Sequence, residues 1–348
     1  MLGISGPGYA TLEAMGLLPS LRVLAHTIGD KVFLDRHGRE VYRSHFGQTM
    51  ARTDFMLLNR VDLTTTLYEA QGEHTDVRFG ATVETADVDG PAARVTLSSG
   101  ETIEADLFVG ADGVRSQMRE RLFGPGAGHH RPLGYRFAAY EVEDLLGLRD
   151  GAVFHTAPAH FAESYPLPNG RLAALQVWPS QETGLVPAGE RWRLLRAVAK
   201  GAHADVFKVI AAAEGGPAPI LDDLLLVEAP CWSKGRGVLI GDAAHCLTFI
   251  SGQGAGISIA SAGVLAEALS GLTVPEGLAE HERRLRPAIH RLQAYSRRRA
   301  KGMIPGHPLS YGLRMMLMRH VLRRTGRPVS NVLEAERLAA MSILPAAS

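Results

Sequence analysis

The segment Gly237-Val-Leu-Ile-Gly-Asp-Ala-Ala-His-Cys-Leu-Thr-Phe-Ile-Ser-Gly-Gln-Gly-Ala-Gly256 sets a carboxylate beside a run of glycines. An apolar strand from Val238 to Ile240 should end at Gly241 and Asp242, where a carboxylate accepts hydrogen bonds from ligand hydroxyls. Gly252, Gln253, Gly254, Ala255 and Gly256 then lead into a small-residue helix, Ile257 to Leu269. Bare backbone N–H groups and the positive end of a helix receive negative charge. The pattern suits a polyhydroxylated, phosphorylated or anionic ligand. The other reading of Asp242 is a helix N-cap. Upstream, Asp106-Leu-Phe-Val-Gly-Ala-Asp-Gly-Val-Arg-Ser-Gln-Met-Arg119 repeats the logic: strand, Asp-Gly turn, polar helix start. Asp112, followed by Gly113, either caps that helix alone or caps it and also touches a ligand.

Together the two segments resemble the flavoprotein aromatic hydroxylases, the FAD-dependent monooxygenases of the para-hydroxybenzoate hydroxylase type. The first matches that family's G-D-A-A-H…G-Q-G pattern at Gly241 to His245 and Gly252 to Gly254. The second matches D-G-x-x-S-x-x-R at Asp112, Gly113, Ser116 and Arg119. The resemblance implies an α/β fold: a doubly wound, Rossmann-like FAD-binding domain with an inserted β-sheet substrate domain. It implies FAD as cofactor, NAD(P)H as reductant and hydroxylation of a small aromatic, phenolic or polyketide-like substrate through a flavin C4a-hydroperoxide. It also assigns roles. Asp242 accepts a hydrogen bond from a ribityl hydroxyl of FAD, and Gly252, Gly254 and Gly256 let backbone approach the flavin ring. Arg60, in Leu57-Leu-Asn-Arg60-Val-Asp-Leu63, reaches the cofactor. Arg119 is a structural anchor and His245 a structural histidine, so no catalytic side chain is assigned. The chain departs from the family at Thr248 and Phe249, where prolines are usual, and at Gly256, often an asparagine. These departures bear on substrate fit more than on cofactor binding. Other readings are an FAD-dependent oxidase, reductase or halogenase on the same scaffold, and a non-catalytic fragment. The halogenase pattern W-x-W-x-I-P is absent.

The family opens with a βαβ unit carrying G-x-G-x-x-G, whose glycines hold the FAD pyrophosphate. Gly6-Pro7-Gly8 lacks the third glycine, and no apolar strand is expected before it. The resemblance therefore implies a cofactor domain truncated at its N-terminus, with an apolar groove left in its sheet.

The positioning elements follow from hydrophobic periodicity and turn residues. A short helix is expected over Tyr9 to Met15, and a hairpin of Lys31 to Leu34 with Arg39 to Tyr42. A helix should run from Val61 to Gln71. Val77 to Phe79, Thr82 to Val88, Arg94 to Leu97 and Thr102 to Ile103 read as a β-meander. Tyr135 to Val142 and Leu172 to Trp178 read as strands of the second domain, Arg191 to Ala213 as a helix, and Ile220 to Val227 as the return to the cofactor domain. The expected division is residues 1–128 and 229–285 for the FAD-binding domain, 129–228 for the substrate domain and 286–348 for a C-terminal helical region. Ser310 to Arg324 reads as a helix packed on its own domain with arginines outward, rather than one lying on a membrane.

Composition fits a globular enzyme. Thirty-seven Lys and Arg balance thirty-six Asp and Glu, a net charge of +1, so no nucleic-acid partner is indicated. No apolar run reaches the ~20 residues of a transmembrane helix, and cytoplasm is the default location. Cys231 and Cys246 suit neither a disulfide framework nor a zinc motif. His129, His130, His155 and His160 have no partners at metal-ligand spacing, so no metal is expected; they read as loop or surface residues. Tyr135, Tyr140, Phe154, Tyr165 and Trp178 read as core.

Overall fold

The computed structural model describes residues 1–124 and 129–325. Residues 326–348 of the expected C-terminal region, and the boundary expected at 128, lie outside the described residues. The chain opens with β1 (Leu2–Ser5), α1 (Gly6–Ala14) and α2 (Leu18–Leu24). There follow β2 (Lys31–Leu34), β3 (Glu40–Ser44), α3 (Phe46–Met50), β4 (Phe55–Leu58) and α4 (Arg60–Glu69). The meander is β5 (Val83–Asp87), β6 (Ala93–Leu97) and β7 (Thr102–Ala105), feeding β8 (Phe108–Gly110) and α5 (Gln117–Phe123). Then come β9 (His130–Glu143), β10 (Ala152–Ala157), β11 (His160–Pro166), β12 (Arg171–Pro179), α6 (Ala188–Val198), α7 (Ala204–Ala213) and β13 (Ile220–Val227). The chain continues through β14 (Ser233–Lys234), β15 (Gly237–Leu239), α8 (Asp242–His245), α9 (Gly254–Gly271), α10 (Val274–Ala300) and α11 (Pro308–Thr325).

A seven-stranded sheet in the order β13-β9-β12-β11-β10-β2-β3 forms one wall of the molecule. Alternation sends one set of its side chains each way. Ala138, Tyr140, Ala162, Ala174 and Trp178 pack against α6 and α7. Lys31, Phe33, Phe154, Phe161, Glu163 and Val177 stand on the opposite face, as the pairings Phe33 with Phe154, Phe154 with Glu163 and Phe161 with Val177 require. The sheet differs from the expected division in one way. The hairpin β2–β3, placed by sequence in the first cofactor segment, joins this sheet because β2 pairs in parallel with β10. β13, within the expected 129–228, pairs with β9 in the same sheet before the chain returns to the cofactor segment.

Local differences have local causes. The helix expected over 191–213 is broken at Gly201, whose φ of +91° ends α6 before α7 starts. Val77 to Phe79 is no strand, and Phe79 is exposed; Arg78 pairs with Asp76 and Glu101 instead. In α11, Tyr311 and Met315 pack on Val41, and Arg319 reaches Asp35 at 2.7 Å. The helix thus docks partly through an arginine. Leu309, Leu313, Met316 and Leu317 face out.

An apolar strand does precede Gly6, contrary to expectation. Leu2 to Ser5 is short and contains a glycine, but β4 pairs with it antiparallel, and Ile4 is fully buried with Met56 and Leu58. Helix α9 is long and apolar enough to cross a membrane by composition, with mean hydropathy 1.2, but here it packs against α1 and α10. The α1–α9 crossing explains Gly8. A Cβ there would lie 2.4 Å from the Gly256 Cα, and backbone cannot yield as a flexible side chain does. Gly8→Ala is expected to cost about 1–3 kcal/mol by overpacking. Gly254→Ala, where nothing lies within 4 Å, is the control. Equal melting temperatures for the two variants would rule out the tight crossing.

Candidate functional site

The two motif segments meet through their strands. β15 pairs in parallel with β8, setting Gly237 against Phe108 and Leu239 against Gly110. Ile240 N–H then bonds to the Gly110 carbonyl at 3.0 Å. Parallel neighbours end at the same edge, so the Asp112 loop and the Asp242 loop open on one side. Arg119 ties them together. It is buried in α5, and its Nη1 donates to the Ala243 carbonyl at 2.7 Å while Nη2 donates to the Val114 carbonyl at 2.9 Å.

The two aspartates differ in what occupies them. Asp112 accepts from the Ser116 hydroxyl and from Met118 N–H at 3.0 Å, so both its oxygens serve the start of α5. Gly113 takes a φ of +82° in the turn between them, a conformation that favours glycine. Asp242 makes no such cap: Gly241, at φ +58°, is the N-cap of α8, with no side-chain cap bond. The Asp242 carboxylate is accessible from the cleft, yet the protein crowding it raises its pKa. The charge of Arg60 acts in the opposite direction. Arg60 is exposed in the first turn of α4, where Asn59 caps the helix by accepting from Val61 N–H at 2.9 Å. Asp242 and Arg60, remote in sequence, are therefore near enough in space for the charge of one to act on the other.

The glycine loop divides its labour. Gln253 is buried, and its amide donates to Ser5 Oγ at 3.2 Å, joining α9 to β1. Ala255 packs on the Ile4–Leu12 core, and Gly256 accommodates Gly8. Those three positions carry structural contacts in the apo chain. Gly252 takes a φ of +66° and borders a cavity, and a Cβ at Gly254 would meet nothing within 4 Å. Thr248 holds a φ of +62°, strained for a β-branched residue, at a position where prolines were expected.

Opposite this loop is a cavity of about 780 Å³ between Phe249–Gly252 and the open face of the seven-stranded sheet. Sequence reading did not assign its inner wall. Phe33 and Phe154 stack with centroids 4.4 Å apart, and Phe161 lies 5.6 Å from Phe154. Lys31 Nζ sits 3.4 Å from the centroid of Phe46. The one available signal was a charged residue on the same face as Phe33 in Lys31-Val-Phe-Leu34.

Several histidines differ from expectation. His155 and His160 are buried in strands, not in loops, because each stands on the inward face of its strand. His245 is buried against Trp232, with centroids 4.9 Å apart, and burial holds its pKa down to about 3. It stays neutral and packed away from the cleft. Among the described residues His155, His203 and Asp205 converge at metal-ligand range. Asp205 is already paired with Lys208 at 3.0 Å, and His203 caps α7. Of the aromatics read as core, Tyr135, Tyr140, Phe154 and Trp178 are buried.

Comparison with known proteins adds to this geometry. The model of the family described as FAD binding domain matches residues 10–296. The 3-amino-4-hydroxybenzoate 2-monooxygenase PtnB3 of Streptomyces platensis is 30% identical over 310 residues, covering 81% of this chain and 76% of that protein. The ubiquinone hydroxylase UbiL of Rhodospirillum rubrum is 36% identical over 214 residues, covering 58% of this chain and 47% of that protein. Among solved structures, the tetracycline destructase Tet(55) superposes with a TM-score of 0.82 at 20% identity, over 99% of this chain and 87% of that one. HpxO of Klebsiella pneumoniae, solved with FAD and uric acid, superposes with a TM-score of 0.81 at 20% identity, over 97% of this chain and 87% of that one. The two structures share the fold.

Proposed function

Because this chain belongs to the FAD-binding domain family of flavoprotein monooxygenases, we propose that it inserts one oxygen atom from dioxygen into a small aromatic, phenolic or polyketide-like substrate, with NAD(P)H as reductant. One observation carries the reading. The loops of Asp112 and Asp242 open at one sheet edge, and the glycine loop that follows Asp242 walls an aromatic cavity.

The residues present fit FAD. Asp242 keeps a carboxylate not spent on capping, which suits a ribityl hydroxyl. Arg60 offers fixed planar donors for phosphate or carbonyl oxygen. Gly252, Gln253, Gly254, Ala255 and Gly256 present backbone at the positive end of α9, which favours negative charge on a reduced ring. Gly241, at φ +58°, turns the chain immediately before Asp242, and Asp112 with Gly113 borders the same edge. FAD, when bound, carries electrons from the nicotinamide to dioxygen. The chain's own work is to seat the substrate ring, exclude water with the phenylalanine wall and stabilise charge.

The test reconstitutes the purified chain with FAD and supplies NADH or NADPH, an aromatic panel and isotopically labelled dioxygen. A productive aromatic should accelerate nicotinamide oxidation and appear carrying one labelled oxygen. Flavin reduction with label only in peroxide or water, for every aromatic tried, would favour the oxidase or reductase reading. A chain that holds no FAD at all would favour the non-catalytic one.

Asp242→Ala isolates the cofactor contact. A hydrogen bond to a charged acceptor contributes about 1.5–3 kcal/mol, so the FAD dissociation constant should rise roughly ten- to a hundredfold. The apo melting temperature should barely move, since Asp242 makes no cap bond. Unchanged affinity in flavin-fluorescence titration would remove Asp242 from the site.

A further inference from the structure

The phenylalanine-lined cavity contains two charges without an ion-pair or hydrogen-bond partner among the described residues. Lys31 and Glu163 stand on its sheet wall with β10 between them. Two strand spacings and a two-residue offset along the strands separate their backbones, roughly 12 Å. Neither makes a hydrogen bond or ion pair to another side chain among the described residues. They feel each other only at range. Burial lowers the Lys31 pKa while Glu163 raises it, and burial raises the Glu163 pKa while Lys31 lowers it. The Met1 amine also acts on Glu163 but is committed to the Tyr165 hydroxyl at 2.7 Å. Both side chains are half-buried, and holding two partly desolvated charges apart costs stability that direct pairing would recover only in part. An apolar wall has no structural need of them.

Their surroundings say what they are held for. Between them lies the stacked pair Phe33 and Phe154, a flat apolar surface for a ring. Phe46 covers Lys31 Nζ on one side and leaves its other donors to the cavity. Lys301 and Arg314 line the same cavity near its mouth, so the field along it favours an anion.

We propose that Lys31 and Glu163 form a two-point selector: Lys31 takes the carboxylate of an aromatic acid, the ring lies on Phe33 and Phe154, and Glu163 accepts from a ring amino or hydroxyl group. The inference rests on reading this cavity as the chamber for the aromatic substrate. It narrows that class to aromatic acids bearing a hydrogen-bond donor. A ring with neither acid nor donor would leave both charges unmatched, and a neutral amine or a plain benzoate would leave one.

Calorimetric titration of the chain, with and without FAD, tests it using three probes: meta-aminobenzoate, meta-aminobenzamide and benzoate. The amide removes the negative charge and benzoate removes the donor. Wild type should bind meta-aminobenzoate roughly ten- to a hundredfold more tightly than either analogue, the factor for losing a charge-assisted hydrogen bond in a buried site. In Lys31→Met the preference over the amide should collapse while the preference over benzoate persists. In Glu163→Gln the reverse should hold. Melting curves identify any variant that fails to fold, and Lys31→Gln then replaces Lys31→Met. An acid preference that survives Lys31→Met, or that vanishes instead in Lys301→Ala, overturns the selector. So does a wild type that binds none of the probes. Flavin-fluorescence titration of the same proteins keeps the two readings apart: a chain that binds FAD without selecting acids refutes the selector alone, and one that selects acids without binding FAD refutes the cofactor reading alone.

Discussion

Lowering the pH from 6.5 towards 4 should unfold this protein far more steeply than one titrating group allows. Four histidines are buried and held neutral. Burial is the first cause for each, lowering His155, His160 and His281 to about 4 and His245 to about 3. Neighbouring positive charge adds to it: His203 and His160 act on His155, and His281 and Arg286 act on His245, while Asp205 partly offsets the effect on His155. Hydrogen bonding gives the same direction independently. His160 Nε2 meets Gln176 at 2.8 Å and His281 Nε2 meets Ser261 at 3.0 Å, leaving the other ring nitrogen of each buried without a partner. The Nε2 atoms of His155 and His245 are likewise buried and unpartnered. A proton added to His160, His245 or His281 finds no hydrogen-bond acceptor there, and one added to His155 has only the Asp205 carboxylate at 3.9 Å.

In the unfolded chain these histidines protonate near pH 6.5. The folded pKa values lie below the unfolded ones, so the unfolded state binds more protons throughout the interval. Their neutral burial carries no penalty above pH 6.5, and stability is lost as pH falls from there towards the folded values. Each contributes a slope of up to about 1.4 kcal/mol per pH unit, and four acting together approach about 5. A domain with a margin of about 5–15 kcal/mol should not remain folded to pH 4. Carboxylates act partly against this slope: Glu163 and Asp242, raised by burial, take up protons in the folded state as pH falls, whereas the depressed groups Asp30, Asp35 and Asp205 lose their stabilisation only below their ordinary range. Denaturant titrations at stepped pH measure the slope. A fall of one proton's worth or less between pH 6 and 5 would mean that these rings become hydrated or find partners.

What the sequence revealed of the site was what adjacent residues decide. Gly241 before Asp242, and Gly113 after Asp112, are turn glycines at strand ends; both adopt positive φ. Their spacing along the chain needs no tertiary knowledge. Lys31 and Glu163 were hidden for the opposite reason. They share a wall only because β2 pairs with β10 across more than a hundred residues of chain, and no local pattern encodes that register. Gly6-Pro7-Gly8 lacks the third glycine of a phosphate loop, which sets Gly8 aside in the sequence. Its actual task, the close passage of α9, depends on a tertiary contact that no local pattern shows. The burial of His155 and His160 was partly legible. Strict alternation in Ala152 to Ala157 and His160 to Pro166 sets faces, but which face is covered depends on α6 and α7.

Replacing Arg119 by methionine should destabilise the chain by about 2–4 kcal/mol and weaken FAD binding as well. Two effects oppose each other at this position. The guanidinium is almost wholly buried, and burial is the main influence lowering its pKa; the charge of Asp112 only partly compensates. Removing it relieves that desolvation. Against this, Nη1 supplies the Ala243 carbonyl at 2.7 Å, and Nη2 supplies the Val114 carbonyl at 2.9 Å and lies 2.8 Å from His130 Nε2. Val114 keeps a second contact, to His130 Nε2 at 2.8 Å, but Ala243 O would be left buried without that donor. An orphaned buried acceptor costs about 1–3 kcal/mol, and bonds to a charged donor contribute about 1.5–3 each. Methionine keeps much of the apolar volume, so cavity formation adds little. The hydrogen bonds therefore outweigh the desolvation relief. Arg119→Lys discriminates further. A lysine keeps the charge but lacks the planar fork that spans two carbonyls, and should fall between wild type and methionine. Because Arg119 joins the Val114 turn to the Ala243 turn, its loss should lower FAD affinity and melting temperature together, unlike Asp242→Ala. A more stable Arg119→Met protein would mean that the buried charge costs more than its hydrogen bonds return. A destabilised one with unaltered FAD affinity would mean that β8 and β15 alone keep the two loops in place.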